Sequence, residues 1–523
     1  MTTADQLYSF SNLWRQYRVC RRNKRNTINA LRFEIDVEAK LLELQRELRE
    51  HSYRPGRSVC FITEGVKPRE VFAADFRDRV VHHVLVSCQE RVFEPRFIHD
   101  SYACRTGKGV LAASDRLTEF LRCATVNGKR PAWALKLDVA NFFPSIDKQR
   151  LYEIIGRQIR DPEILWLTRV LLFHDPTRDY RFRAKRGGAT PPGRQGYPIP
   201  AQKSLFGNGN ERGLPIGNLT SQFWANVYLN ELDQFVKRRL KCPHYLRYVD
   251  DVVLLSSGRD QLIEWNERIA AFLGGALGLR LRPDTRAPFR VDRGVELVGW
   301  RTYWNHRLPR RQAVSSCSRR LRAFQRSHVR PQWNGAARRI DVGPSRPAVG
   351  RLEAALASYS GHLRHGAARG QWRELLAAHD WLEGLFDCEA DGGWRMRARW
   401  PKGTVAGRRF SQQYGRLIQW ARDRALVFCQ VGRFVEFYGP QRERAAQVLR
   451  LLRVTMSRGG YAFSVGFPAW LRNEYISRAG RAGYVVADVR EVGRSRPRCA
   501  ERVIVAVWLP AARQAASLAH GRR

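Results

Sequence analysis

No stretch of this 523-residue chain approaches the ~18 consecutive apolar residues from which a membrane-spanning helix is read. Neither a signal-peptide pattern nor a basic amphipathic anchor is visible, so the expectation is a cytoplasmic protein with no membrane attachment. The ten cysteines are scattered, without a C-x-x-C pair and without cysteine–histidine ligand spacing. That excludes a disulfide scaffold and a zinc finger, and leaves small buried thiols in a reducing compartment. The sequence contains no G-x-x-x-x-G-K-[ST], so no ATP-hydrolysis site is expected. Acidic residues are scarce: 49 Asp plus Glu stand against 92 Lys plus Arg, a formal charge of +43. Such an excess goes beyond solubility and points to a long polyanion, because each neutralised phosphate releases a counterion and adds affinity. With 44% hydrophobic residues and fifteen tryptophans, the chain has enough apolar material to fold over most of its length.

Residues 7–50 read as helical, with Leu31, Ile35, Leu41, Leu42 and Leu48 on apolar faces. Short strands and helices alternate from 59 to 120, and a compact mixed unit runs from about 121 to 303. The Gly- and Pro-dense stretch 185–213 marks a surface loop within it. Residues 305–346 are very basic and partly linker-like. Apolar helical patterns follow near 347–363 and 371–386, and "EADGGW" (389–394) is a candidate boundary. The remainder, about 395–512, has its own strand–helix alternation.

Two stretches carry the chemistry. In "HYLRYVDDVVLLSSG" (244–258), Asp250 and Asp251 sit between two short apolar runs, where the chain should reverse. Carboxylates at a tight turn are ordinary, since they bond back to the local backbone. The pair alone therefore does not decide between a turn and a metal site. In "AWALKLDVANFFPSID" (132–147), an apolar strand ends in Asp138, with Phe142 and Phe143 close behind. Two-metal phosphoryl transfer needs carboxylates from separate rigid elements converging on ions roughly 3.5–4 Å apart. Asp138, Asp250 and Asp251 would supply them, and oxygen ligands with a substrate phosphate suit Mg²⁺, with Mn²⁺ as a substitute. Between the two lies "GLPIGNLTSQFWANVYLNELDQFVKRRL" (213–240). Thr220 or Ser221 is placed to cap an amphipathic helix, and the turn at Gly217 would let a base pair or sugar approach the backbone.

The order Asp-x-x-x-x-Phe, glycine turn into helix, "YVDD" and "VELVGWRTYW" (295–304) resembles the palm of the reverse transcriptases. The resemblance covers roughly residues 50–305, with a thumb-like region to about 387. It implies an α+β right-hand polymerase: fingers, a palm with an antiparallel sheet, and a helical thumb. It also implies that Asp138, Asp250 and Asp251 bind two metal ions, and that Phe143 is the gate against a ribose 2′-hydroxyl. A core aromatic beside Phe142 is the plainer reading of Phe143. "VKPREVFAADFRDRVVHHVL" (66–85) and "HDSYACRTGKGVLAA" (99–113) match the family's fingers. They imply that Arg69 and Arg105, with Lys67 and Lys108 behind them, hold the triphosphate and template. For the two lysines a solvated basic face is the competing reading. Ser221-Gln222 resembles the reverse transcriptases of diversity-generating retroelements and related bacterial lineages. "RLRPDTRAPF" (280–289) departs from the family in lacking the lysine after its proline, which leaves Arg286 as the nearest cation.

Near the C-terminus, "ALVFCQVGRFVEFYGPQRERAAQVLRLL" (425–452), "GFP" and "GYVVADVRE" follow in an order that resembles the N-terminal mismatch-recognition domain of the MutS family. On that resemblance Phe434 is an aromatic wedge and Glu436 its carboxylate partner in DNA binding. Strand alternation places Val435 and Phe437 on one face, and Phe434, Glu436 and Tyr438 on the other.

The expected organisation is a helical region at 1–58, fingers and palm at 59–305, a basic linker and helical thumb at 306–390, and a small α/β MutS-I-like domain at 391–523. The expected activity is RNA-directed DNA synthesis from an RNA template, a DNA primer or cDNA, and dNTPs, within a bacterial retroelement with an accessory protein. A phage-defence or repair polymerase, or a non-catalytic nucleic-acid-binding scaffold with a palm fold, is the alternative.

Overall fold

The computed structural model describes residues 3–510, other than 23–26, 64–67, 185–189, 286, 332–336, 343–345, 389–395, 399–404, 406–408, 422–424, 455–463 and 497–498. It divides into two units, Met1–His306 and Arg307–Arg523. Among the described residues no helix is long and apolar enough to cross a membrane.

The first unit begins with helices Thr3–Leu7, Phe10–Arg21, Ile28–Glu34 and Val37–Arg49. Ser9 starts the second, its hydroxyl accepting the Asn12 amide at 3.2 Å. Leu41, Leu44 and Leu48 recur at helical spacing and are fully buried. Leu31, Ile35 and Leu42, expected inside, are instead exposed. The helix breaks after Glu34 and restarts at Val37, so one apolar phase does not run through both segments.

Strands β1 (Ser58–Thr63), β2 (Arg69–Ala73) and β4 (Tyr180–Phe182) form a small sheet in the order β2-β1-β4. The central sheet, in the order β5-β6-β3-β7, uses β3 (Trp133–Asp138), β5 (His244–Tyr248), β6 (Asp251–Ser256) and β7 (Phe289–Arg290), all antiparallel. A further hairpin joins β8 (Val295–Leu297) to β9 (Trp300–Thr302). Helix Leu219–Gln234 is buried nearly all round, its apolar residues Phe223, Trp224, Val227, Tyr228, Leu229 and Leu232 packed beside buried polar ones such as Asn226 and Asp233. Its first turn differs from the sequence expectation. The N-cap is Asn218, whose Oδ1 accepts the Ala74 amide, while Thr220 is engaged with His82 at 2.9 Å.

The second unit contains β10 (Arg307–Pro309), β11 (Val329–Pro331), β12 (Ala337–Asp341), β13 (Phe386–Cys388), β14 (Met396–Ala398), β15 (Ala425–Val431), β16 (Phe434–Phe437), β17 (Arg453–Val454), β18 (Ser464–Pro468), β19 (Val485–Arg496) and β20 (Cys499–Pro510). Eight of them form one sheet, β11-β12-β20-β19-β15-β16-β18-β17, in which β15 and β19 run parallel. Phe428, Val435, Phe437 and Phe467 pack on one face with Ala445 and Leu449 of helix Pro440–Leu449 and Ile476 of helix Arg472–Arg481. Val427, Cys429, Val507 and Leu509 belong to a second core with Tyr414, Leu417, Trp372 and Trp381.

Two domain expectations are corrected here. Residues 305–346, read as partly linker, hold the 18-residue helix Arg311–His328 and strands β11 and β12. The boundary at 390/391 does not separate two units, because β12 pairs with β20 from Ala337↔Pro510 to Asp341↔Ala506. "EADGGW" lies outside the described residues.

Candidate active site and nucleic-acid interface

β5 and β6 are joined by the shortest of hairpins, with Tyr248 opposite Asp251 and only Val249 and Asp250 between them. A two-residue hairpin needs a left-handed residue to match strand twist, and here Val249 takes it at φ +54°. A β-branched residue in that region is strained by about 1–3 kcal/mol, a cost that surrounding structure must hold in place. Arg247 does so. Its guanidinium is completely buried and donates from Nη1 to the Val249 carbonyl at 3.1 Å and to Asn226 Oδ1 at 3.1 Å. Nε and Nη2 form a fork on Asp233, at 2.8 and 2.7 Å, and the Tyr245 hydroxyl donates to the same carboxylate at 2.7 Å. Asp233 is equally buried. A planar fork on a carboxylate, with every remaining polar group partnered, is the arrangement that makes a buried ion pair tolerable.

On the other side of β6 lies β3, and its register sets Asp138 directly opposite Asp251. Side chains so paired stand about 4.5–5.5 Å apart at Cβ. Asp250 adds a third carboxyl at the hairpin apex. The Asp250 carboxyl is pushed up to about 6, by burial first and then by the charges of Asp138 and Asp251, against the opposing pull of a backbone hydrogen bond and of Arg69. Two cations answer the other two carboxylates. Lys136 Nζ lies 3.1 Å from Asp251 Oδ1, and Arg282 Nη1 lies 3.2 Å from Asp138 Oδ2 while also gripping Asp284.

As oriented, no three His, Cys, Asp or Glu side chains among the described residues are arranged as a metal cage. Asp251 is turned towards Lys136 and Asp138 towards Arg282. The donor set nevertheless fits a hard divalent cation. It is all oxygen, it comes from two adjacent strands and the turn beside them, and two of its three members draw cations already.

The remaining candidates divide. Arg69 is exposed at the start of β2, and its charge reaches Asp250. Phe143 is half-buried, edge-on to the buried Phe142 with ring centres 5.3 Å apart. The turn carrying it is closed by Leu214 N donating to Phe143 O at 2.9 Å, so "GLP" and "NFF" are adjacent in space.

Gly217, at φ +126°, is demanded by packing: a Cβ there would meet Phe72 O and Val71 Cγ1 of β2 at 2.8 Å. Ser221 is buried beneath the turn, whereas Gln222 is exposed and accepts from the Cys104 thiol at 3.6 Å. Arg105 differs most from expectation. Its side chain is 7% exposed, and it donates to Glu94 and to the Ile98 and Ser101 carbonyls. It ties the 94–105 loop together and is not presented to a triphosphate. Lys108 donates to the His99 carbonyl at 3.1 Å and stands 4.8 Å over the Tyr102 ring. Lys67 and Arg286 lie outside the described residues.

The Arg247–Asp233 pair, Lys136 and Arg282 were not singled out from sequence. Lys136 and Arg282 sit inside quoted motifs, but charge alone does not say which carboxylate a cation meets.

In the second unit, Phe434 opens β16 and is 49% exposed, while Val435 and Phe437 are fully buried. Glu436 is half-buried and accepts the Tyr438 hydroxyl. Tyr438, expected on the outward face, is buried, because the strand ends at Phe437 and the alternation ends with it.

Two stretches of the chain match known protein families. Residues 66–285 match the family model "Reverse transcriptase (RNA-dependent DNA polymerase)", and residues 408–514 match "MutS domain I". An uncharacterized 91 kDa protein in a cob intron of Schizosaccharomyces pombe is 25% identical over 203 residues, covering 39% of this chain and 21% of that protein. Protein YkfC of Escherichia coli is 23% identical over 321 residues, covering 55% of this chain and 75% of that protein. Among solved structures, apo telomerase from Candida tropicalis superposes with a TM-score of 0.33 and 11% identity, over 49% of this chain and 54% of that one. Telomerase from Candida albicans in complex with a fragment of telomeric RNA gives 0.33 and 9%, over 63% and 57%. The chain thus carries a reverse transcriptase domain over residues 66–285 and a MutS domain I over residues 408–514.

Proposed function

We propose that the chain is an RNA-directed DNA polymerase that extends a DNA primer on an RNA template within a bacterial retroelement, and that its MutS-like part binds the DNA or hybrid produced. The observation that carries the reading is the register pairing of Asp138 with Asp251 across β3 and β6, with Asp250 at the adjoining turn. In it, Asp138, Asp250 and Asp251 hold two divalent ions, Mg²⁺ or in substitution Mn²⁺. When bound, the ions supply the positive charge that eases deprotonation of the primer 3′-hydroxyl and offsets charge on the reacting phosphate. The new bond joins the primer oxygen to the α-phosphorus of the dNTP, and the bond to pyrophosphate breaks.

This chain's own residues do the positioning. Arg69 orients the triphosphate, its fork suited to phosphate oxygens. Phe143 fills the space a ribose 2′-hydroxyl would need. Arg247 and Asp233 hold the hairpin that presents Asp250. In the second unit, Phe434 and Glu436 engage distorted duplex, where an inserted ring is opposed least by weak stacking.

Primer extension on poly(rA)/oligo(dT) with Mg²⁺ tests the polymerase reading. Extension by the wild-type chain and none by Asp138→Asn or Asp251→Asn is expected. Full RNA binding without extension by the wild type would favour a scaffold.

A further inference from the structure

Among the described residues, the large apolar side chains left exposed include two rings at one corner of the second unit's sheet. These are Phe434, at 49%, and Trp470, at 79%. Phe434 pairs in register with Pro468 at the end of β18, and the pairing is prolonged by Ala469 N donating to Arg433 O at 2.8 Å. Trp470 follows one residue later, in the short turn Ala469–Leu471. The core does not call for either ring. Phe428, Phe437 and Phe467 already fill the inward face, with ring centres 5.3–6.2 Å apart and almost no exposure.

The outward surface beside Phe434 is kept low. Gly466 faces Glu436 in register, and a Cβ on Gly466 would strike the Val435 carbonyl at 2.5 Å. Exposed Arg433 stands next to Phe434, on a chain of formal charge +43.

We propose that Trp470 and Phe434 form a two-ring platform that stacks unpaired bases of a nucleic-acid strand, with Arg433 on the neighbouring phosphate. The proposal rests on the reading of the MutS-like part as a DNA-binding module. It goes further in assigning Trp470 and in naming the ligand as a short unpaired stretch, a bulge or a frayed end. Bases suit this surface because every base offers a ring face, and aromatic stacking is tolerant of sequence. The excess of positive charge selects a polyanion over an apolar peptide.

The test uses the full chain and a 20-base-pair DNA duplex carrying a two-nucleotide bulge, with 5-iododeoxyuridine in the bulge. Irradiation is expected to cross-link the bulge to Trp470. Trp470→Ala should remove that adduct and weaken bulged-duplex binding about 5- to 100-fold, the range for loss of one stacked base. Perfect-duplex affinity and primer extension should stay within twofold of wild type, and Trp470→Phe should retain most of the bulge preference. If Phe434→Ala abolishes the bulge preference while Trp470→Ala leaves it intact, the platform is wrong and the DNA-binding reading stands. If neither variant changes binding and the cross-link maps only to the first unit, both the platform and that reading are overturned.

Discussion

Asp233→Ala should be among the most damaging single changes in the first unit that touches none of the three carboxylates. It strands the Arg247 guanidinium, which has no exposure and loses a fork of two bonds, at 2.8 and 2.7 Å. The Tyr245 hydroxyl loses its acceptor as well. Removing one partner of a buried pair costs about 3–5 kcal/mol, set against a stability for a typical domain of about 5–15 kcal/mol. Urea unfolding of the first unit should therefore shift by about 4 kcal/mol. Replacing both partners, Asp233→Leu with Arg247→Met, should recover most of that loss, since no charge is left buried. Activity should not recover with it. Arg247 Nη1 would no longer hold the Val249 carbonyl, and the left-handed turn before Asp250 would relax. Single-nucleotide extension by the double variant should fall at least about tenfold, or about 1.4 kcal/mol, with RNA affinity unchanged. Two results would refute the reasoning: an Asp233→Ala midpoint equal to wild type, or a double variant that is stable and fully active.

Phe143→Val should admit ribonucleotides, and an unchanged ratio of deoxy to ribo incorporation would make the ring packing only. RNA affinity should fall linearly on a log–log plot against salt; a flat titration contradicts phosphate-dominated binding. Lys148 is 3% exposed, bonded to Asn210 at 3.1 Å, and burial lowers its ammonium from 10.5 to about 8. The folded chain then binds fewer protons than the unfolded chain between pH 8 and 10.5, so this group's contribution to stability rises with pH across that window. Below it the buried charge opposes folding by about 3 kcal/mol. Lys148→Met should raise stability at pH 7 by about 2 kcal/mol after loss of the Asn210 bond, and the gain should fade by pH 10.5. A gain independent of pH would show that the charge is not the cause.

What was legible in the sequence was local. An apolar strand ending in Asp138 and a reversal at Asp250 are written in contiguous residues, and the exposure of Phe434 follows from two-residue alternation. The opposition of Asp138 and Asp251 is a register between segments more than a hundred residues apart, which only the assembled sheet determines. Arg105 shows the limit of reading charge. Its partner Glu94 is eleven residues away, and nothing in the sequence says that the loop folds back to bury the pair. Strand β12, "ARRID", is mostly charged and shows no apolar strand pattern in the sequence. Arg338 is matched by Asp380, and Arg339 by Asp341, so the strand can join a sheet without apolar alternation. A fragment beginning at 395 would leave Ala506–Pro510 of β20 without that neighbour.

The central claim is that Asp138, Asp250 and Asp251 act as one metal-binding carboxylate set. The most direct measurement is extension of oligo(dT) on poly(rA) with Mg²⁺ by the purified wild type and by Asp250→Asn, with RNA affinity measured on the same preparations. The account predicts robust wild-type extension, none above background for the variant, and nearly equal RNA affinity. Extension by Asp250→Asn at a rate near wild type would contradict it.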